Sequence, residues 1–389
     1  VLDTIIRRAL IVDGSGDHPF YGDIGIRGGR IAAVGEVDEA CRTVVDADGL
    51  VASPGFIDVH SHTDASVLMD GRAQSKITQG VTTEITGNCG FSPAPCFDEA
   101  ALDNPIHGRL DYGAEWESVA DFLSVLDGCS MTVNVGMLVG HGNIRRAVIG
   151  SDDREPTAEE MRTMCQLLVH TLLDGALGIS TGLIYPPGCY STTAELAELA
   201  GSAASHGAVY TSHIRDEHEG VVQAVAEALE IAERSAVSMV ISHHKACGRS
   251  NWNKIDTTLA MIDDARARGL GVHADQYPYV ASSTYLSVAL PAWVHEGGTE
   301  ATLRRMVERR GEMLSLLAES ASGGRVSDDG GWERILISSV EDQAHKWAEG
   351  KSVADVARVQ GCTPEEAVLD LLIAGKCSVL GVMFNQSEE

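Results

Sequence analysis

Along the first fifty residues, apolar positions alternate with polar ones over short spans. TIIRRALIVDG and YGDIGIRGGRIAAVGE read as brief strands set off by Gly and Asp. The Gly28-Gly29 pair suits a tight hairpin turn. Residues 1–52 are therefore expected to form part of a small β domain. From residue 53 onward the pattern changes. β-Branched, apolar runs (FIDVH, VTTEIT, MTVNVGML, ALGIST, AVYTSH, VSMVISH and LGVHAD) alternate with segments whose apolar residues recur at helical spacing. The clearest helices are AEEMRTMCQLLVHTLLDG, TTAELAELAGSAASHG, GVVQAVAEALEIAERSA and NKIDTTLAMIDDARARG, each with Gly or a small residue near its end. Seven βα repeats predict an α/β protein of the (β/α)8 barrel type over 53–389, a fold whose chemistry sits at the C-terminal ends of its strands.

Two stretches break this rhythm. Residues 91–130 form a long insertion after the second strand, expected to wall the site. Residues 280–389 hold the helices ATLRRMVERRGEMLSLLAES and TPEEAVLDLLIAGK and the strands RILISSV and SVLGVMF, whose place the pattern does not fix.

Composition narrows the function classes. With 389 residues and 44% apolar content, the chain can build a large core. A formal charge of −27 repels nucleic acid and anionic membranes, and no apolar run is long enough to span a bilayer. Nine cysteines, with no CxxC pair, suggest neither a zinc ribbon nor a disulfide framework. They read as reduced thiols of a cytoplasmic protein.

The ends of the apolar runs carry the candidate chemistry. His60 and His62 close VASPGFIDVHSH, and alternation along a strand would put both imidazoles on one face. Cys89 follows the next run in GVTTEITGNCG, while His213 and His243 end VYTSH and MVISH. Histidines at four strand-end positions, with a thiol among them, predict a metal site at the barrel rim. Zinc suits mixed imidazole and thiolate ligands best, with manganese, iron and cobalt left open. Of the adjacent His243 and His244 only one can face the barrel, and His243, directly ending the apolar run, is the expected ligand.

GFIDVHSHTD, GNCGFSPAP, STGLIYPPG, YTSHIRDE, SHHKACG and HADQYPYVASST together resemble the N-acyl-D-amino-acid deacylases (D-aminoacylases) of the amidohydrolase superfamily. The HxH alone is common to many amidohydrolases, whereas GNCGFSP with SHHK is far more specific. The resemblance implies a TIM-like barrel with a small β-sandwich domain and zinc-dependent hydrolysis of N-acyl-D-amino acids. It also implies that Cys89, His213 and His243 hold a tight zinc, with His60 and His62 at a second, weaker position sharing the thiolate. Lys245 and Tyr277 would meet the substrate α-carboxylate, and Tyr185 would line the pocket. ASSTYLSVALPAWVHEGG lacks Lys and Arg, and its Leu286, Leu290 and Trp293 suit a hydrophobic side chain.

In the resembled family an aspartate in a Ser-Asp-Gly context ends the eighth strand and serves as general base. The expectation is that this residue lies beyond Glu389, together with a carboxylate-binding arginine, the eighth strand and the C-terminal half of the β domain. A second arrangement would make RILISSV the eighth strand and supply Asp342. Asp275 is read as a support for ligands or substrate. Two other functions stay open: a dihydroorotase- or hydantoinase-like cyclic amidohydrolase, and a metal-binding relative impaired in catalysis.

Overall fold

The computed structural model describes residues 1–64, 66–96, 103–104, 108–109 and 116–388, which fall into two compact units. One comprises Val1–Ile57 and Ser75–Thr83; the other comprises Asp58–Gln74 and Glu84–Glu389. The first unit thus runs past residue 52 and takes back a later segment.

In the first unit the sheet order is Arg30–Gly35, Phe20–Arg27, Leu2–Ile11, Cys41–Asp46, and Val51–Ala52 also pairs with Leu2–Ile11. The hairpin turns through Gly28 and Gly29, both at positive φ (59° and 71°), a turn that matches the twist of the flanking strands. Leu2, Ile5 and Val37 form one buried cluster, and Ala9, Ile11 and Ala47 another.

The second unit contains the βα repeats from Asn134 onward, while the first two strands of the series are divided between the units. Val139–Gly140, Gly178–Gly182, Val209–His213, Ser238–Ile241 and Val272–Ala274 make a parallel sheet in chain order. Preceding them, Phe56–Asp58, Val81–Thr86 and Asn134–Met137 are neighbours in a three-stranded sheet. All seven expected strands are present and adjacent in the expected sequence. Helices Ala158–Leu173, Thr193–Ala204, Val221–Ser235 and Ile255–Ala267 alternate with the parallel strands. Their inner faces (Met164, Leu168, Leu199, Val225 and Ile231) share one core with Ile179, Tyr210, Met239 and Val272. Thr157 starts its helix with a reciprocal capping box to Glu160, which fixes where the chain turns out of the loop.

Residues 280–389 build a separate layer. Ser282–Tyr285, Val379–Met383 and Ile335–Val340 form an antiparallel sheet. RILISSV is therefore not an eighth parallel strand: it pairs antiparallel with Val379–Met383, and Asp342 precedes a following turn and contacts His345. ATLRRMVERRGEMLSLLAES is two helices, Gly298–Glu308 and Arg310–Gly323, parted where Arg309 leaves helical geometry at ψ 33°. Of the 91–130 insertion, Trp116 and helix Val119–Asp127 pack on Met137 and Ala176. Fifteen of the forty residues in the stretch expected to wall the site (97–102, 105–107 and 110–115) lie outside the described residues.

Candidate metal centre

Four strand ends bring the candidate ligands together. Val209–His213 ends on His213 itself; His243 comes two residues after Ser238–Ile241, His60 two after Phe56–Asp58, and Cys89 three after Val81–Thr86. The HxH pair is past its strand, not in it. Ser61 N nevertheless donates to Ile85 O at 3.0 Å, so the extended path continues and the His60 and His62 rings lie 5.3 Å apart.

Backbone geometry delivers Cys89. Its φ is +55°, unusual for a residue with a side chain, and His243 is likewise at +37°. The GNCG turn is seated on strand Gly178–Gly182: Gly90 N donates to Ser180 Oγ at 3.0 Å, and Ser180 Oγ donates to Gly87 O at 2.5 Å. A Cβ on Gly182 would stand 2.0 Å from Cys89 O, so only glycine admits this approach.

The ligand atoms of Cys89, His213 and His243 all lie within 4.8 Å of one another, as do those of His60, His62 and Cys89. Cys89 Sγ is 3.5 Å from His243 Nε2 and 3.4 Å from His60 Nε2, and His243 Nε2 is 3.0 Å from His213 Nδ1. Tetrahedral zinc, with bonds of about 2.0–2.3 Å, needs ligand atoms about 3.3–3.7 Å apart. The donor set fits such an ion in chemistry; the two distances from sulfur fall in that range, and the His243–His213 distance is about 0.3 Å short of it. His244 turns away, its Nε2 3.0 Å from Thr258 Oγ1.

Charge within the cluster is organised around the thiol. Burial resists ionisation of Cys89, but the His60, His243 and His62 imidazoles outweigh it and hold the thiol well below its ordinary range. Burial likewise disfavours protonated His60, yet Cys89 and Asp275 push it up to about 10. His213 is lowered, chiefly by burial. A thiolate among imidazoles is a set of donors in which a bound cation replaces protons.

Two carboxylates hold the candidate ligands from behind, and sequence reading did not single out the first. Glu217 Oε1 is 2.9 Å from His243 Nδ1 and accepts from Lys245 Nζ at 2.6 Å. Its signal was a carboxylate four residues beyond the strand-end His213. Asp275 Oδ1 accepts from His243 N at 2.6 Å, and its carboxylate lies 3.1 Å from His60 Nδ1.

Lys245 is buried beside the cluster, paired with Glu217, 2.9 Å from His243 Nδ1 and 5.5 Å above the Tyr277 ring. Burial opposes its charge, but Glu217 raises its pKa well above the usual lysine value. Tyr277 OH accepts from Gln386 Nε2 at 2.8 Å. Tyr185 stacks edge-on to His213 with ring centroids 5.2 Å apart, its OH 2.7 Å from Thr284 Oγ1. Leu286 and Leu290, expected to suit a substrate side chain, are 0% and 4% exposed and belong to the helical layer's core, against which Trp293 packs. Their apolar character serves that core.

Residues 43–311 match the sequence profile of the Amidohydrolase family. The chain belongs to that family. This amidohydrolase is 42% identical over 287 residues to a D-aminoacylase of Alcaligenes xylosoxydans xylosoxydans, covering 73% of this chain and 59% of that protein. It is 41% identical over 288 residues to an N-acyl-D-glutamate deacylase of the same organism, covering 73% and 58%. The crystal structure of N-acyl-D-glutamate deacylase from Bordetella bronchiseptica, complexed with zinc and a phosphonate inhibitor, aligns with 100% of this chain and 72% of its own. That alignment has a TM-score of 0.82 at 34% identity, and the shared fold is a TIM-like barrel with a sheet domain. The matches span 59% and 58% of the two curated relatives, less than two thirds of each.

Proposed function

We propose that this protein is a zinc-dependent deacylase that cleaves the amide bond of N-acyl-D-amino acids, giving a carboxylate and a free D-amino acid. The observation that carries the reading is the convergence of Cys89, His213 and His243 on one point, with the Lys245 ammonium directly behind it. Cys89, His213 and His243 would hold the tight zinc, with His60 and His62 at the weaker position. A bound zinc ion supplies Lewis acidity, polarising the amide carbonyl and lowering the pKa of water.

The remaining groups bind and orient. Lys245, a buried cation, and Tyr277 beside it form a subsite for the substrate's α-carboxylate, the group left unchanged by deacylation. Tyr185 walls the same space against His213. Asp275 has its oxygens engaged with His60 and with the His243 backbone, so it holds ligands in place.

The preference for hydrophobic D-amino acids over D-glutamate rests on sequence alone: residues 280–303 contain no Lys or Arg to meet a second carboxylate. Sequence identity to the two curated relatives, 42% and 41%, does not separate these classes. A panel of N-acetyl-D- and L-amino acids on the zinc-loaded protein tests the assignment. Turnover of N-acetyl-D-leucine well above both N-acetyl-L-leucine and N-acetyl-D-glutamate is expected. Hydantoin ring opening with no hydrolysis of any N-acyl-D-amino acid would contradict it.

A further inference from the structure

A single carboxylate oxygen faces three nitrogens at the back of the cluster. Glu217 Oε1 lies 2.6 Å from Lys245 Nζ, 2.9 Å from His243 Nδ1 and 3.9 Å from His213 Nε2. Its own main chain is fixed to the same strand end, since Glu217 O accepts from Cys247 N at 2.6 Å. His213 Nε2 has no hydrogen-bond partner among the described residues.

We propose that Glu217 is a positioning residue that keeps His243 in its metal-binding tautomer by drawing the neighbouring Lys245 ammonium onto itself. This rests on the reading above, in which His243 binds zinc and Lys245 meets the substrate carboxylate. An imidazole binds a metal through the nitrogen that lacks a proton, and the hydrogen bond made by the other nitrogen decides which one that is. His243 Nε2 faces Cys89 and His213, so Nδ1 has to carry the proton and needs an acceptor. Glu217 Oε1 is that acceptor.

The threat to this arrangement is Lys245. Its Nζ is also 2.9 Å from His243 Nδ1, and an ammonium can only donate. Donation to Nδ1 would leave the imidazole proton on Nε2, pointing at the other ligands and excluding an ion. Glu217 takes the ammonium at the shorter distance and accepts the Nδ1 proton on the same oxygen. One buried charge thereby serves both the metal ligand and the substrate-binding cation. Without it Lys245 would also be an unpaired buried charge, which proteins tolerate poorly.

The test reads zinc affinity by chelator competition, with circular dichroism to verify folding, so it does not depend on activity. Glu217→Gln should weaken zinc binding by about 10–100-fold, the usual cost of losing an outer partner of a ligating histidine. Adding Lys245→Met to it should return much of that loss, because the competing donor has gone while the amide oxygen introduced by E217Q still accepts; a residue that merely stabilised the fold would show no such rescue. Should E217Q alone fail to fold, the comparison moves to the K245M background, where no buried ammonium is left unpaired. There E217Q keeps an acceptor and should bind zinc like K245M, whereas E217L should bind about 10–100-fold more weakly. Equal zinc affinity of K245M with and without E217L, or of E217Q and the parent, would overturn the role given to Glu217 alone. A parent protein that binds no zinc would overturn the metal reading together with it.

Discussion

Cys89 reaches the cluster through a left-handed backbone, and what keeps it there is the absence of a side chain at Gly182. Gly182 pairs in register with His213 and lies against Cys89 O, so it stands between two of the candidate ligands. Gly182→Ala should force the GNCG turn outward, costing about 1–3 kcal/mol in chemical denaturation as an overpacked site and weakening zinc binding along with it. Gly201→Ala is the control: a Cβ there meets nothing within 4 Å, and it lies in a helix, so stability should rise by about 0.4–1 kcal/mol. Equal effects at the two glycines would argue against the cradle. At this scale the convergence of these side chains was legible because His and Cys at strand ends have few other uses in such numbers. Glu217 was not, since nothing in a linear sequence shows that its carboxylate comes within hydrogen-bond reach of a residue 26 positions on, whereas its tie to His213 was only a spacing. Leu286 and Leu290 misled for the opposite reason: an apolar residue suits a core as well as a pocket, and only packing distinguishes them.

Between the elements, a buried polar network ties helix Thr193–Ala204 to helix His141–Ile149. Glu195 accepts from Arg145 Nη1 at 2.6 Å and lies 2.9 Å from His141 Nε2, all three buried. Burial would raise the Glu195 pKa, but its bonds to His141 and Arg145 outweigh that and lower it. A carboxyl whose folded pKa lies below its unfolded value, about 4.5 for a free glutamate, stabilises the fold above that value. The contribution is lost as the pH falls through the folded value. Glu195→Gln should therefore cost about 3–5 kcal/mol near neutrality, by leaving Arg145 without its counter-charge. Its stability should also fall less steeply than the parent's as the pH drops below about 4.5. Denaturant titrations across pH 3–7 measure both, and parallel acid limbs would refute the linkage. The repeat of strand and helix was legible because period-two and period-3.6 apolar patterns alternate cleanly from residue 53. The layer formed by residues 280–389 was not, because RILISSV has the same β-branched composition whether it pairs parallel or antiparallel, and the partner Val379–Met383 is some forty residues away.

For the molecule as a whole, the family, the barrel and the order of its seven strands agree with the expectation drawn from residue pattern and resemblance. The two-unit division departs from a boundary at 52 because the chain returns: Ser75–Thr83 joins the first unit, and Phe56 N donates to Gly80 O at 2.9 Å. Such a return leaves no mark in local composition. The surface depressions lined by Arg7, Tyr21 and Val37, about 530 Å³, and by Leu229, Ala260 and Met261, about 760 Å³, share no residue with the cluster.

The central claim is that Cys89, His213 and His243 bind one metal ion, and X-ray absorption at the zinc edge reads the donor atoms directly. The zinc-loaded protein should show one sulfur at about 2.3 Å with nitrogen or oxygen donors at about 2.0–2.1 Å. Cys89→Ala should lose the sulfur shell. A first shell of oxygen and nitrogen alone in the parent, or a sulfur shell that survives C89A, would contradict the account.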